Sequence, residues 1–201
     1  MKNFKAVLVS MLVLASGYSS AMDLEVRDYS DGTQYLRAEG KIVSGDYERL
    51  LKVLGNNPDV LDIYLDSPGG RVDISHKMGR LIRDEGLNTV VTNKSECQSA
   101  CVDVFLGGVE RFWEEGEDDL RLGFHAAFAE NMKEESPELI LEYGQFYAAV
   151  DIAYCVEMIP DENIRPFLAF YVDVHNREDS SKMMWPSLEE MLETGIVTLS
   201  F

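Results

Sequence analysis

Apolar and polar residues alternate over Leu24–Tyr29 and over Tyr35–Val43, the period of half-buried strands, with Asp31-Gly32 as the turn between them. Gly45-Asp46 then opens a helix over Tyr47–Leu54, whose Leu50, Leu51, Val53 and Leu54 cluster on one side, and Asn56-Asn57-Pro58 stops it. Val60–Leu65 reads as a buried strand ending at Asp66-Ser67-Pro68-Gly69-Gly70. Ile74, Met78, Leu81 and Ile82 fall at i, i+4, i+7 and i+8, which predicts a helix over Ile74–Asp84. A strand over Leu87–Thr92 follows, and then a short apolar helix over Ala100–Leu106 closed by Gly107-Gly108. Beyond Pro137 the pattern is helical over Glu138–Met158 and Ile164–Val174, before a terminal helix and strand. This repeated order predicts an α/β fold with a mainly parallel sheet.

The first residues belong to a different class. Lys2 and Lys5 precede the apolar run Ala6–Ala15, and Ser19-Ser20-Ala21 has the small-x-small pattern of a cleavage site before Met22. Ten apolar residues are too few to span a bilayer, where about 20 are needed. The expectation is a signal peptide over 1–21 and a single domain over 22–201. The mature protein is then periplasmic or secreted, with no membrane attachment. The charge sharpens this picture: Lys+Arg is 18 against Asp+Glu 36, a formal net charge of −18. Losing residues 1–21, with their two lysines, takes the charge to −20 and the length from 201 to 180. So acidic a chain repels phosphate backbones, which argues against nucleic acid as a partner. The acidic run Glu114–Asp119 reads as a solvated loop. Three cysteines make no zinc spacing, and no metal or cofactor is expected.

Three local motifs carry candidate chemistry. Ser67-Pro68-Gly69-Gly70, between a strand and a helix, is a tight turn whose glycines leave backbone N–H groups unobstructed. Ser99 stands at the start of the Ala100–Leu106 helix, where a hydroxyl is either an N-cap or a nucleophile beside free amides. His125, in Leu122-Gly123-Phe124-His125-Ala126, reads as a histidine on an apolar strand, either a core residue or a base. Cys97 and Cys101 flank Ser99. They are a candidate disulfide in an oxidising compartment, or else two small apolar residues packed under the turn. Cys155, on a distant apolar helix, is expected free and buried.

In that order and spacing, 29 residues from Gly70 to Ser99 and 26 from Ser99 to His125, these motifs resemble the Clp protease proteolytic subunit and the crotonase-like superfamily, and especially its exported Clp-protease-like members. Gly107-Gly108, Arg111 and the closing Trp185–Val197 segment extend the likeness. The resemblance implies repeated β-β-α units and a serine hydrolase, most simply a peptidase acting on a peptide or protein substrate and able to form a homo-oligomer. Ser99 would be the nucleophile, His125 its base, and the Gly70 and Ala100 amides the oxyanion hole. The family's Asp falls where this chain has Lys182-Met183-Met184-Trp185, so the third member is open, with Asp179 and Asp173 nearest. The alternative is an inactive peptide-binding or self-assembling module of the same fold. The other histidines have plain readings, His76 as a solvated helix residue and His175 as a helix-end residue. Lys94, five residues before Ser99 on a loop, is a poor candidate base. Tyr143, Phe146, Tyr147 and Tyr154 form a helical stripe suited to core or subunit contact.

Overall fold

The computed structural model describes residues 21–114, 122–126, 136–177, 179 and 181–201. Residues 1–20 and most of the acidic run lie outside them. The two first strands, β1 (Asp23–Asp28) and β2 (Gln34–Glu39), pair antiparallel around the Asp31-Gly32 turn. Helix α1 (Asp46–Asn56) leads to β3 (Val60–Asp66), and α2 (Val72–Asp84) to β4 (Asn88–Val91). Next come β5 (Cys97–Gln98), α3 (Ala100–Leu106), β6 (Arg111–Trp113) and β7 (Leu122–Gly123). Helices α4 (Pro137–Met158), α5 (Ile164–Asn176) and α6 (Leu188–Glu193) precede β8 (Leu199–Ser200).

The main sheet has the order β1-β2-β3-β4-β6-β8, parallel throughout except at β1–β2. A second, shorter ladder runs beside it. Ile42 bridges Gly70, Ser67 bridges Cys97, and β5 pairs with β7, all in parallel. Strands β2, β3, β4 and β6 are thus each followed by a segment of the second ladder and then by a helix. The β-β-α unit repeats, the mixed α/β architecture expected from the resemblance. Two details depart from the alternation pattern. The strand over Tyr35–Val43 ends at Glu39, because Gly40 (φ 104°) turns the chain and leaves Ile42 to the second ladder. β5 and β7 are too short to show a period.

The core lies between the main sheet and helices α1–α5, filled by Leu36, Ile63, Leu65, Met78, Ile82 and Phe105, all buried. α2 and α3 cross closely at glycine: a Cβ on Gly107 would stand 2.4 Å from the Gly79 carbonyl oxygen. Arg111 is almost wholly buried yet satisfied, its guanidinium donating to the carbonyls of Gly108, Gly195 and Ile196 and so tying β6 to the C-terminal segment. Burial pushes its pKa down to about 10. The tyrosine stripe on α4 divides. Tyr154 is fully buried, Phe146 and Tyr147 are exposed, and the side chain of Tyr143 lies outside those described.

Candidate active site

The three sequence motifs occupy equivalent places in successive β-β-α units, where a segment of the second ladder ends. Gly70 ends the segment after β3, Ser99 follows β5, and His125 lies two residues beyond β7. The ladder itself brings them together. Ser67 N–H donates to Glu96 O (2.7 Å), Gln98 N–H to Ser67 O (2.9 Å) and Ser99 N–H to Gly123 O (2.8 Å). His125 is therefore not on a strand as its apolar neighbours suggest. Phe124 leaves β7 to bridge Met184 antiparallel, and His125 stands just past that bridge.

Ser99 has φ 54° and ψ −128°, and it is the one non-glycine residue of positive φ among those described. A short strand, a strained residue and a helix in succession are the backbone of a nucleophile elbow, which lifts a side chain clear of its neighbours. The Ser99 side chain makes no capping bond to α3, and Oγ has no hydrogen-bond partner among the described residues. Two amides beside it are also unspent. Neither Ala100 N–H nor Gly70 N–H donates to an acceptor among the described residues. The Ser-Pro-Gly-Gly turn packs on this point so closely that a Cβ on Gly69 would lie 2.9 Å from Ser99 Cβ and 3.1 Å from Ala100 N. A Cys97–Cys101 disulfide (Cα–Cα 5.1 Å) links β5 to the first turn of α3 across Ser99.

Ser99 and His125 line one cavity of about 60 Å³. Its walls are mostly apolar, from Val72, Val102, Leu106, Phe124, Phe167 and Phe170. His125 Nδ1 lies 2.8 Å from Ala126 O. The two carboxylates considered for the third member do not line the cavity: Asp179 is exposed and pairs with Ser181 and Lys182, and Asp173 lies on an exposed turn of α5. In the Lys182–Trp185 segment Lys182 is exposed, and Met183 and Trp185 lie against the bare backbone of Gly123. Lys94 is exposed and outside the cavity.

The cavity also holds residues that carry no site motif in the sequence. His175, near the end of α5, lines it, stacked on Tyr171 at 4.0 Å with Nδ1 2.8 Å from Tyr171 O. Cys155 is free and buried but not distant, since it lines the same cavity. So do Asp103, one turn beyond Ser99 on α3, and Asp151 of α4. His76 is buried rather than solvated, stacked on Tyr154 at 4.1 Å with Nε2 3.2 Å from Asp151 Oδ1 and 3.6 Å from Asp103 Oδ2. The ligand atoms of His76, Asp103 and Asp151 lie within 4.8 Å of one another, the one group of metal-ligand spacing among the described residues. Ser75 Oγ donates to Asp103 and Tyr171 OH to Asp151. The only trace in the sequence was the i, i+4 spacing of Ser99 and Asp103, because the other members come from different helices.

Burial, and then the charge of Asp151, holds the Asp103 carboxyl well above the usual carboxylate range, against the opposing Ser75 hydrogen bond. A raised carboxyl contributes stability that is complete below pH about 4 and is lost as pH climbs through its folded value. Asp103→Asn keeps an acceptor for Ser75 and removes the charge. It is expected to be more stable than the parent at pH 7–8, by about 1–2 kcal/mol, with the gap closing toward pH 4. Urea midpoints at the two pH values check this; an equal deficit at both would show that the ionised carboxylate holds the helices together.

No family model matches the sequence, and no curated protein is detectably similar to it. Similarity appears in three dimensions. An asparagine-to-aspartate mutant of ClpP1 from Listeria monocytogenes superposes with TM-score 0.56 at 17% identity, covering 80% of this chain and 86% of that one. A lysine-to-alanine mutant of the 1510-N membrane-bound stomatin-specific protease, in complex with a substrate peptide, gives 0.53 at 17% identity, covering 82% and 73%. A serine-to-alanine mutant of the same protease gives 0.50 at 16%, covering 82% and 77%. The chain has a Clp-protease-like fold.

Proposed function

We propose that the protein is an exported serine hydrolase acting on peptides, with Ser99 as nucleophile. The observation that carries this reading is the strained backbone of Ser99 at the start of α3, with an unbonded hydroxyl and two unspent amides nearby. Strain of this kind costs about 1–3 kcal/mol and is retained where it positions a reacting group. The fold shared with serine proteases supports the choice of substrate class.

In this mechanism Ser99 Oγ attacks the scissile carbonyl while His125 takes its proton, then returns it to the leaving amine. In this mechanism Nδ1–H donates to Ala126 O, 2.8 Å away, and Nε2 is the nitrogen that takes the proton. The Gly70 and Ala100 amides receive the oxyanion, a role worth about 3–4 kcal/mol per donor. Ser99 and His125 line the same cavity, and in this mechanism their hydrogen bond is made with substrate in place. A disulfide at the nucleophile turn suits a periplasmic or secreted protein. Phe146, Tyr147 and Val150, exposed on α4, are the face for self-assembly, which light scattering would detect as a mass above that of one chain.

The same unbonded Ser99 favours a second reading, a peptide-binding module without turnover. A fluorophosphonate probe separates the two. The hydrolase reading expects covalent labelling of the disulfide-intact parent and none of Ser99→Ala; an unlabelled parent that still binds peptide supports the module.

A further inference from the structure

Met22, which the cleavage pattern makes the first residue of the mature chain, is fully buried and held at both ends. Its carbonyl accepts from the Arg49 guanidinium, and its N–H points at Asp46 Oδ2, 3.5 Å away. That distance exceeds the normal N–H···O range of about 2.7–3.2 Å. Asp46, the first residue of α1, has no exposed surface at all. Its Oδ2 accepts Val43 N–H at 2.8 Å and its Oδ1 pairs with Arg49. Arg49 is itself 42% exposed, so it shares its charge with solvent and leaves the buried carboxylate short of a fully buried partner.

We propose that hydrolysis of the Ala21–Met22 bond creates an α-ammonium that binds the buried carboxylate of Asp46, making Asp46 the receiving site for the processed N-terminus. Water adds across the amide, leaving a carboxylate on Ala21 and an ammonium on Met22, and a leader peptidase supplies the catalysis. A long contact from a neutral amide becomes a buried ion pair without moving Met22. The neighbouring charges leave the ammonium to Asp46. Asp23 and Glu39 face each other across β1–β2, and Glu39 pairs with Arg37. Gly40 adds no charge, and a Cβ there would be in ordinary contact with Met22 Cα at 3.8 Å, while Val43 offers its N–H to Asp46.

This inference rests on the export reading, and its test separates the two. A chain starting at Met22, released from a fusion that leaves no extra residue, is compared with the same chain acetylated at its N-terminus and with one carrying a glycine before Met22. An α-ammonium, ordinarily titrating near 7.7–8.0, is raised by Asp46, so its stabilisation holds at neutral pH and is lost as pH climbs through the raised value. Between pH 7 and 10 the Tm of the free chain should fall about 2–4 °C further than that of either blocked chain. Asp46→Asn should abolish the difference wherever it folds. Identical pH profiles for free and blocked chains overturn the proposal, whatever the exported protein's N-terminus. Intact mass of the exported protein answers the other question: a start other than Met22 overturns processing at this bond.

Discussion

Ser99→Gly is expected to lose hydrolysis by about four to six orders of magnitude and yet to melt higher than the parent. At φ 54° and ψ −128° a side chain is strained by about 1–3 kcal/mol, whereas glycine adopts that conformation freely. Part of the gain is offset by about 0.5–1 kcal/mol from the greater freedom of glycine in the unfolded chain. The balance, about 1 kcal/mol, corresponds to a Tm rise of roughly 2–4 °C in a domain of this size. Ser99→Ala keeps the strain and should melt near the parent while losing the same activity. Calorimetry beside a peptide-hydrolysis assay reads both. If Ser99→Gly melts lower than Ser99→Ala, the strain is not a property of this site, and the nucleophile reading loses its main support.

Gly69→Ala should damage both stability and activity. Its φ is +88°, and an added Cβ would meet Gln98 O at 2.5 Å, a backbone atom that cannot swing aside. A left-handed side chain costs about 1–2 kcal/mol, and forcing the turn away from α3 brings the total to about 3–5 kcal/mol. The same displacement carries the Gly70 amide away from Ser99, so fluorophosphonate labelling of the folded fraction should slow by at least about 10²-fold. Gly32→Ala is the control. Gly32 has nearly the same φ, +87°, with nothing within 4 Å of an added Cβ, so only the conformational cost of about 1–2 kcal/mol remains and labelling stays at the parental rate. Equal losses in the two variants would mean that close packing at Gly69 contributes nothing.

Periodicity located the long elements well, since the apolar stripes of α1 and α2 and the apolar run of β3 report one buried face directly. It could not show β5 or β7, because two residues hold no period and their pairing comes from partners 25 residues away. His125 illustrates the cost. Its apolar neighbours suggest a strand, but a bridge from Phe124 to Met184, 60 positions on, ends the ladder before it.

By itself the amino-acid sequence determined the parallel α/β order, the tight Ser-Pro-Gly-Gly turn and the residue types at each joint, because these depend on neighbours a few positions apart. Tertiary structure alone decided which side chains share the cavity. It buried His76, judged solvated from its polar neighbours, between Tyr154 and two carboxylates from other helices. It placed His175 in the wall of the cavity that Ser99 also lines and left Asp173 and Asp179 outside it. It also aimed the Met22 amide at Asp46, 24 residues away. The physical reason is common to all four. Local pattern records how a segment divides between water and core, whereas the burial and charge of a single side chain depend on which distant elements pack over it.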